Sequence, residues 1–147
     1  MITSITGMTA LERAIREAMA SNSADRLDQA LDQLWVVEGH SGHIDLLHEL
    51  LLSDRHHQHQ LVTRCIQNAR DPRSVEVIQR VLQRGFEPFA YTCSDDAVIA
   101  KWFSHALADI GTRKAIQVIH EYAGSPNQEV AQEMRYRIFR MTEYPHR

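Results

Sequence analysis

A chain of 147 residues, 44% apolar and 24% charged, has the balance of one ordinary globular domain, long enough to bury about two-thirds of its unfolded surface. A net charge of −3 and two cysteines exclude a strongly basic nucleic-acid wrapper and a disulfide-stapled scaffold. No apolar run approaches the ~20 residues that span a bilayer, and Met1–Gly7 lacks the basic and apolar regions of an export leader, so the expected home is a reducing cytoplasm with no membrane partner.

Apolar residues recur at helical spacing along the whole chain. Leu11, Ala14, Ile15, Ala18 and Met19 predict a helix over roughly 8–20, and Leu27, Ala30, Leu31, Leu34 and Val37 a second over 24–38. Ile44, Leu47, Leu50 and Leu51 mark a third near 43–53, and Val62, Cys65, Ile66 and Ala69 a fourth over 56–70. Val75, Ile78, Val81 and Leu82 give a fifth over 72–84. Ile99, Trp102, Phe103, Ala106, Leu107 and Ile110 then form a sixth. Ala115, Val118, Ile119 and Tyr122 form a seventh, and Val130, Met134, Ile138 and Met141 the last. No segment alternates with period two, so the chain reads as all-α.

Punctuation agrees. None of Gly7, Gly39, Gly42, Gly85, Gly111 and Gly124 interrupts an apolar period, and glycine is expected just past a helix end. Asp71, Ser94, Thr112 and Ser125 supply N-cap chemistry, with Pro72 and Pro126 in first turns. The exception is Gly85–Ser94, a ten-residue loop where Pro88 is expected to exclude regular helix. Its aromatics Phe86, Phe89 and Tyr91 either cap a core or form a recognition loop.

Superposing Pro72 on Thr112 gives an offset of 40 residues that lays Val75 on Ala115, Ile78 on Val118, Val62 on Trp102 and Ile66 on Ala106. Helix–turn–helix content at that period is the mark of HEAT or armadillo repeats. The N-terminal helices do not keep the spacing, since Ile44 and Val75 are 31 apart. The expected fold is one domain, a short irregular α-solenoid (a HEAT/armadillo-like α-α superhelix) of about eight helices. Residues 1–53 supply acidic N-terminal helices, and 54–147 the HEAT-like hairpins, about 56–84 and 95–124, plus a C-terminal helix.

Chemistry is sparse. Six of nine histidines crowd into 40–59, and His56 and His59 share a helical face at a two-point zinc spacing. No HExxH or Cys/His finger accompanies them, and the plainer reading puts His56 and His57 at a solvated helix start beside Asp54 and the others at surface or packing positions, so no metal is expected. Asp95 and Asp96 are adjacent and diverge by about 100° on a helix, which suits first-turn charges better than paired acid–base groups. Trp35, Trp102 and Phe103 read as core. Arg135, Arg137 and Arg140 suit the C-terminal end of the last helix dipole. With no Walker loop, GxSxG or GxGxxG, the expectation is a non-enzyme without cofactor.

Charge is uneven. Residues 1–54 hold three arginines against nine carboxylates, and 55–147 hold 13 basic against 10 acidic residues. An acidic half disfavours nucleic acid and suits a basic protein partner, although solvated helix faces would also explain it.

The stretch from Leu50 to Met141, about 60% of the chain, resembles small HEAT-repeat-like proteins encoded beside polymorphic or contact-dependent toxins. The resemblance is carried by His56-His57-Gln58-His59-Gln60, Asp71-Pro72-Arg73-Ser74-Val75 and Phe86-Glu87-Pro88-Phe89-Ala90-Tyr91. Lys101, Ala106-Leu107, Ile110-Gly111-Thr112 and Ala115-Ile116 complete it, while Gln60 and Lys114 stand where acids are usual. It implies an immunity protein that binds and neutralises a cognate toxin domain, such as a nuclease. Candidate contacts for a basic toxin cleft are Glu38, Asp45, Glu49 and Asp54, with Glu87, Asp95 and Asp96 around Tyr91 as anchor. The alternative is a generic HEAT-like protein–protein adaptor; a HEAT-like enzyme or DNA-binding repeat would need a basic groove.

Overall fold

The computed structural model describes residues 2–33 and 43–143, with side chains from residue 10 onward. Leu34, Trp35, Val37, Glu38, Gly39, His40 and Gly42 lie outside the described residues. Among the described residues every regular element is helical. The helices are α1 (Ile2–Ala20), α2 (Ala24–Leu31), α3 (Ile44–Leu52), α4 (His59–Ala69), α5 (Ser74–Arg84), α6 (Asp96–Ile110), α7 (Arg113–Tyr122) and α8 (Gln128–Glu143). A 3₁₀ segment, Glu87–Thr92, precedes α6. The chain is all-α. It divides into two compact units, Met1–Ala69 and Arg70–Arg147, so the expected 56–84 hairpin straddles their boundary.

In the first unit α1 packs on α2, and α3 on α4. Gly7 lies inside α1, which starts earlier than its apolar stripe indicated. Ser23 caps α2, its hydroxyl oxygen accepting the Arg26 N–H at 3.2 Å. Helix α3 buries Ile44, Leu46, Leu47, Leu50 and Leu51, five of its nine residues, so it is enclosed on most sides. Ile15, Leu27, Leu31, Val62 and Ile66 complete this core.

In the second unit α6 packs on α5, α7 and α8, and α7 also packs on α5 and α8. The Asn127 amide donates to Asp96 Oδ2 at 2.8 Å, and further along Arg137 Nε donates to Ser104 Oγ at 3.3 Å. The two contacts advance together along both chains, so α6 and α8 run parallel. Phe89 and Phe103 are fully buried, with ring centroids 6.1 Å apart, and Phe86 stands 6.0 Å from Phe103. Offset rings at these distances attract beyond their buried area. Three of the pairs matched by the 40-residue offset are interior in both copies, Val75 and Ala115, Ile78 and Val118, and Ile66 and Ala106, whereas Val62 is buried and its match Trp102 only half-buried.

Local chemistry corrects several boundaries. Pro88 does not keep 85–94 irregular: it sits at the start of the 3₁₀ segment, where a missing amide costs no bond. Helix α8 is capped by Asn127, whose Oδ1 accepts the Glu129 and Val130 N–H groups at 3.0 and 3.3 Å, rather than by Ser125. The N-cap of α6 is Asp95, not Ser94, and α5 starts at Ser74 after a turn in which Asp71 Oδ1 accepts the Arg73 N–H at 2.9 Å. Thr112 caps α7 as expected, accepting the Ala115 N–H at 3.1 Å.

Gly111 ends α6 with φ of +69°, and its N–H donates to the Leu107 carbonyl at 3.0 Å. That left-handed conformation is costly for any residue with a Cβ. Gly111→Ala is expected to cost ~1–2 kcal/mol and Thr112→Ala ~1 kcal/mol. Urea denaturation checks both, with midpoints shifted and slopes unchanged.

Candidate functional site

Several carboxylates of the acidic N-terminal half have internal duties. The Arg16 guanidinium on α1 reaches Glu49 on α3 at 2.8 and 3.2 Å and Glu12 on its own helix at 2.9 Å. This pairing raises the Arg16 pKa and holds Glu49 below the usual carboxylate range. All three side chains are exposed, so the clamp orients more than it stabilises. Glu12 also lies 3.9 Å from Nδ1 of buried His43.

On α2, Asp28 Oδ1 accepts the backbone N–H of His57 at 2.9 Å, and Asp32, the C-cap just past that helix, accepts the Gln58 side-chain amide at 3.2 Å. Arg55 donates to the side chain of Asn22. Spaced one helical turn apart, the two aspartates fasten the 53–58 connection to α2. Asp45 and Asp54 point outward from the same unit.

That connection contains the unit's most constrained polar groups. Of the pair expected at a solvated helix start, His57 is exposed but His56 is not: His56 is buried beside buried His59, with rings stacked at 4.0 Å. His56 Nε2 lies 2.7 Å from the Leu50 carbonyl, and its Nδ1 accepts the Gln58 N–H at 3.0 Å. An acceptor Nδ1 fixes the neutral tautomer with the proton on Nε2. His59 Nε2 lies 2.6 Å from the Ser53 carbonyl. The two imidazoles therefore meet carbonyls at the end of α3: that of Leu50, which also accepts the Ser53 N–H at 3.3 Å, and that of Ser53, the residue just past the helix. The same contacts displace the start of α4 from residue 56 to His59. Among the described residues no group of three or more His, Cys, Asp or Glu side chains is placed to hold a metal ion.

In the second unit the 3₁₀ segment divides the three loop aromatics. Phe86 and Phe89 turn inward, with the Arg84 guanidinium 5.6 Å from the Phe89 ring centre. Tyr91 remains 38% exposed. Glu87 and Asp95 are exposed, whereas Asp96 is half-buried and holds Asn127. Glu87, Tyr91, Asp95 and Asp96 thus share one unit, while Asp45, Glu49 and Asp54 belong to the other. Trp102 is half-buried and Phe103 fully interior. Cys65 is buried, its thiol pushed up to about 11 by desolvation, while Cys93 is exposed in a left-handed turn with φ of +55°.

Two features escaped the apolar stripe of the last helix. Tyr136 and Phe139 are the most exposed large apolar side chains among the described residues, at 48% and 58%. Their signal was their position off the Val130–Met134–Ile138–Met141 line. Arg137, by contrast, is buried and donates to Ser104 Oγ and to His105 Nε2, the latter at 2.9 Å. Burial lowers the pKa of Arg137, and burial with the nearby Arg137 and Lys101 charges lowers that of His105.

Desolvation also depresses His56, outweighing the Leu50 carbonyl and the Asp28 charge that favour protonation. With folded-state values below the ordinary 6.5, His56 and His105 take up protons in the unfolded state first as pH falls. Their contribution to stability is complete above pH 6.5 and is lost on acidification below it. Melting temperature is expected to drop between pH 7.5 and 5.5, and less steeply in His56→Gln, which starts lower. Compared with protein-family models, with curated proteins and with solved structures, the chain finds no match.

Proposed function

We propose that this chain is an immunity protein: it binds a cognate toxin domain, a basic one such as a nuclease, and blocks its active site without itself being an enzyme. The reading rests on the resemblance over Leu50–Met141. The observation that carries it further is the 86–96 segment, where buried Phe86 and Phe89 hold a rigid support while exposed Tyr91 stands between exposed Glu87 and Asp95. An exposed aromatic with exposed carboxylates before and after it in the sequence suits a cleft built to receive a polyanion. In the other unit, Asp45, Asp54 and the Arg16-paired Glu49 would supply negative charge that steers a basic partner toward the chain. The stacking of α5 to α8, with parallel α6 and α8 flanking α7, supports a short α-solenoid of HEAT-like pattern, and a cytoplasmic site of action follows from the role.

Copurification with the product of the neighbouring gene, followed by rescue of growth in cells expressing that product, tests the reading. Tyr91→Ala is expected to weaken the complex ~10–100-fold, the range of an interfacial aromatic anchor, while the far-ultraviolet spectrum stays the same. Asp45→Lys with Asp54→Lys is expected to slow association and flatten its salt dependence. Rescue without a complex, or unchanged affinity in both variants, rejects the assignment.

A further inference from the structure

Helix α8 turns Val130, Ala131, Met134 and Arg137 inward, and its packing partners are α6 and α7. The opposite side is exposed yet not uniformly polar. Gln132, Tyr136, Phe139 and Glu143 follow one another there at spacings of four, three and four residues. That is the stripe one helix presents to another in a knobs-into-holes seam. Tyr136 is also braced, since the inward-turned Arg137 guanidinium lies 5.7 Å from its ring centre. Arg135 is tied to its own unit by a 2.9 Å bond to the Ala123 carbonyl. The aromatic pair therefore stands on a helix whose neighbouring cations are anchored beneath and beside it.

The charges along this stripe decide the occupant. Turned end for end on a second copy, the seam matches itself, with Tyr136 against Phe139 of the second copy and Gln132 against Glu143 of the second copy. On one flank Arg140 then comes opposite Glu133 of the second copy, a cation toward an anion. Glu133 is half-buried, with one carboxylate oxygen interior and without a hydrogen-bond partner among the described residues. A parallel pairing would instead stack Glu143 on Glu143 and bring Arg135 toward Arg140, so like charges disfavour it.

We propose that the outer face of α8 is a self-association site on which two copies of this chain pair their α8 helices antiparallel. The contact is isologous, so it closes at a dimer. Two aromatics and their flanks per copy fall short of a standard interface, which sets the expected dissociation constant at ~10–100 µM. The proposal does not rest on toxin binding, which is read separately as a complex with a different chain.

Sedimentation velocity of the full chain from about 1 µM to 1 mM, a span chosen to bracket that constant, tests it. A concentration-dependent dimer is expected, with Phe139→Glu shifted to monomer at an unchanged melting temperature. If Phe139→Glu does not fold, Tyr136→Lys takes its place in the same measurement. Orientation is read in a Cys93→Ser background, mixing Gln132→Cys chains with Glu143→Cys chains under mild oxidation. Predominance of the mixed disulfide supports the antiparallel pair. A chain monomeric at every concentration, a dimer that survives both aromatic substitutions, or a preference for either like-with-like disulfide overturns it.

Discussion

A helix of eight or nine residues does not persist in water unaided, because its few backbone bonds barely repay the cost of the first turn. Helices α2 and α3 are of that length, so everything in their unit follows from the need to cover them. Helix α3 loses five side chains to the interior, and its last carbonyls must still find donors away from bulk water. The stacked imidazoles of His56 and His59 add donors there, at the Leu50 and Ser53 carbonyls, and Asp28 and Asp32 hold the connection that carries them. What looks in sequence like a histidine-rich and acid-rich surface is in large part the fastening of two short helices.

The second unit meets the same constraint with apolar material. Phe86, Phe89 and Phe103 gather beneath the 3₁₀ segment, and the segment can turn tightly because Pro88 falls in its first turn. Burial of two aromatics out of three then leaves Tyr91 outside on a support that has little freedom to move. A surface used for recognition gains from such a support, since less ordering remains to be done on binding.

Legibility followed the range of the interactions. Features set by neighbours a few residues away were readable: the helical stripes, Thr112 as a cap, Gly111 as a left-handed stop, and the burial shared by Val75 with Ala115. Features set by distant partners were not. Nothing within a few residues of His56 announces that the Leu50 carbonyl will meet its ring, so it read as solvated. Asn127 lost to Ser125 because the serine precedes a proline, yet the asparagine reaches two amides and Asp96 as well. The candidate surface was half legible. Tyr91 and Glu87 emerged from loop composition, whereas Tyr136 and Phe139 were hidden by attention to the buried stripe of their own helix.

The parallel course of α6 and α8 carries a further electrostatic consequence. Two helix starts, each with a partial positive charge, lie side by side where Asp96 holds Asn127, and Asp95 and Glu129 sit at the same end. Negative charge there answers first to the backbone. A basic group arriving from outside would draw on carboxylates that already lie in the field of two helix starts, so occupancy and fraying of the first turns become linked. Whatever docks at that corner would register as a change in hydrogen exchange at the beginnings of two helices at once.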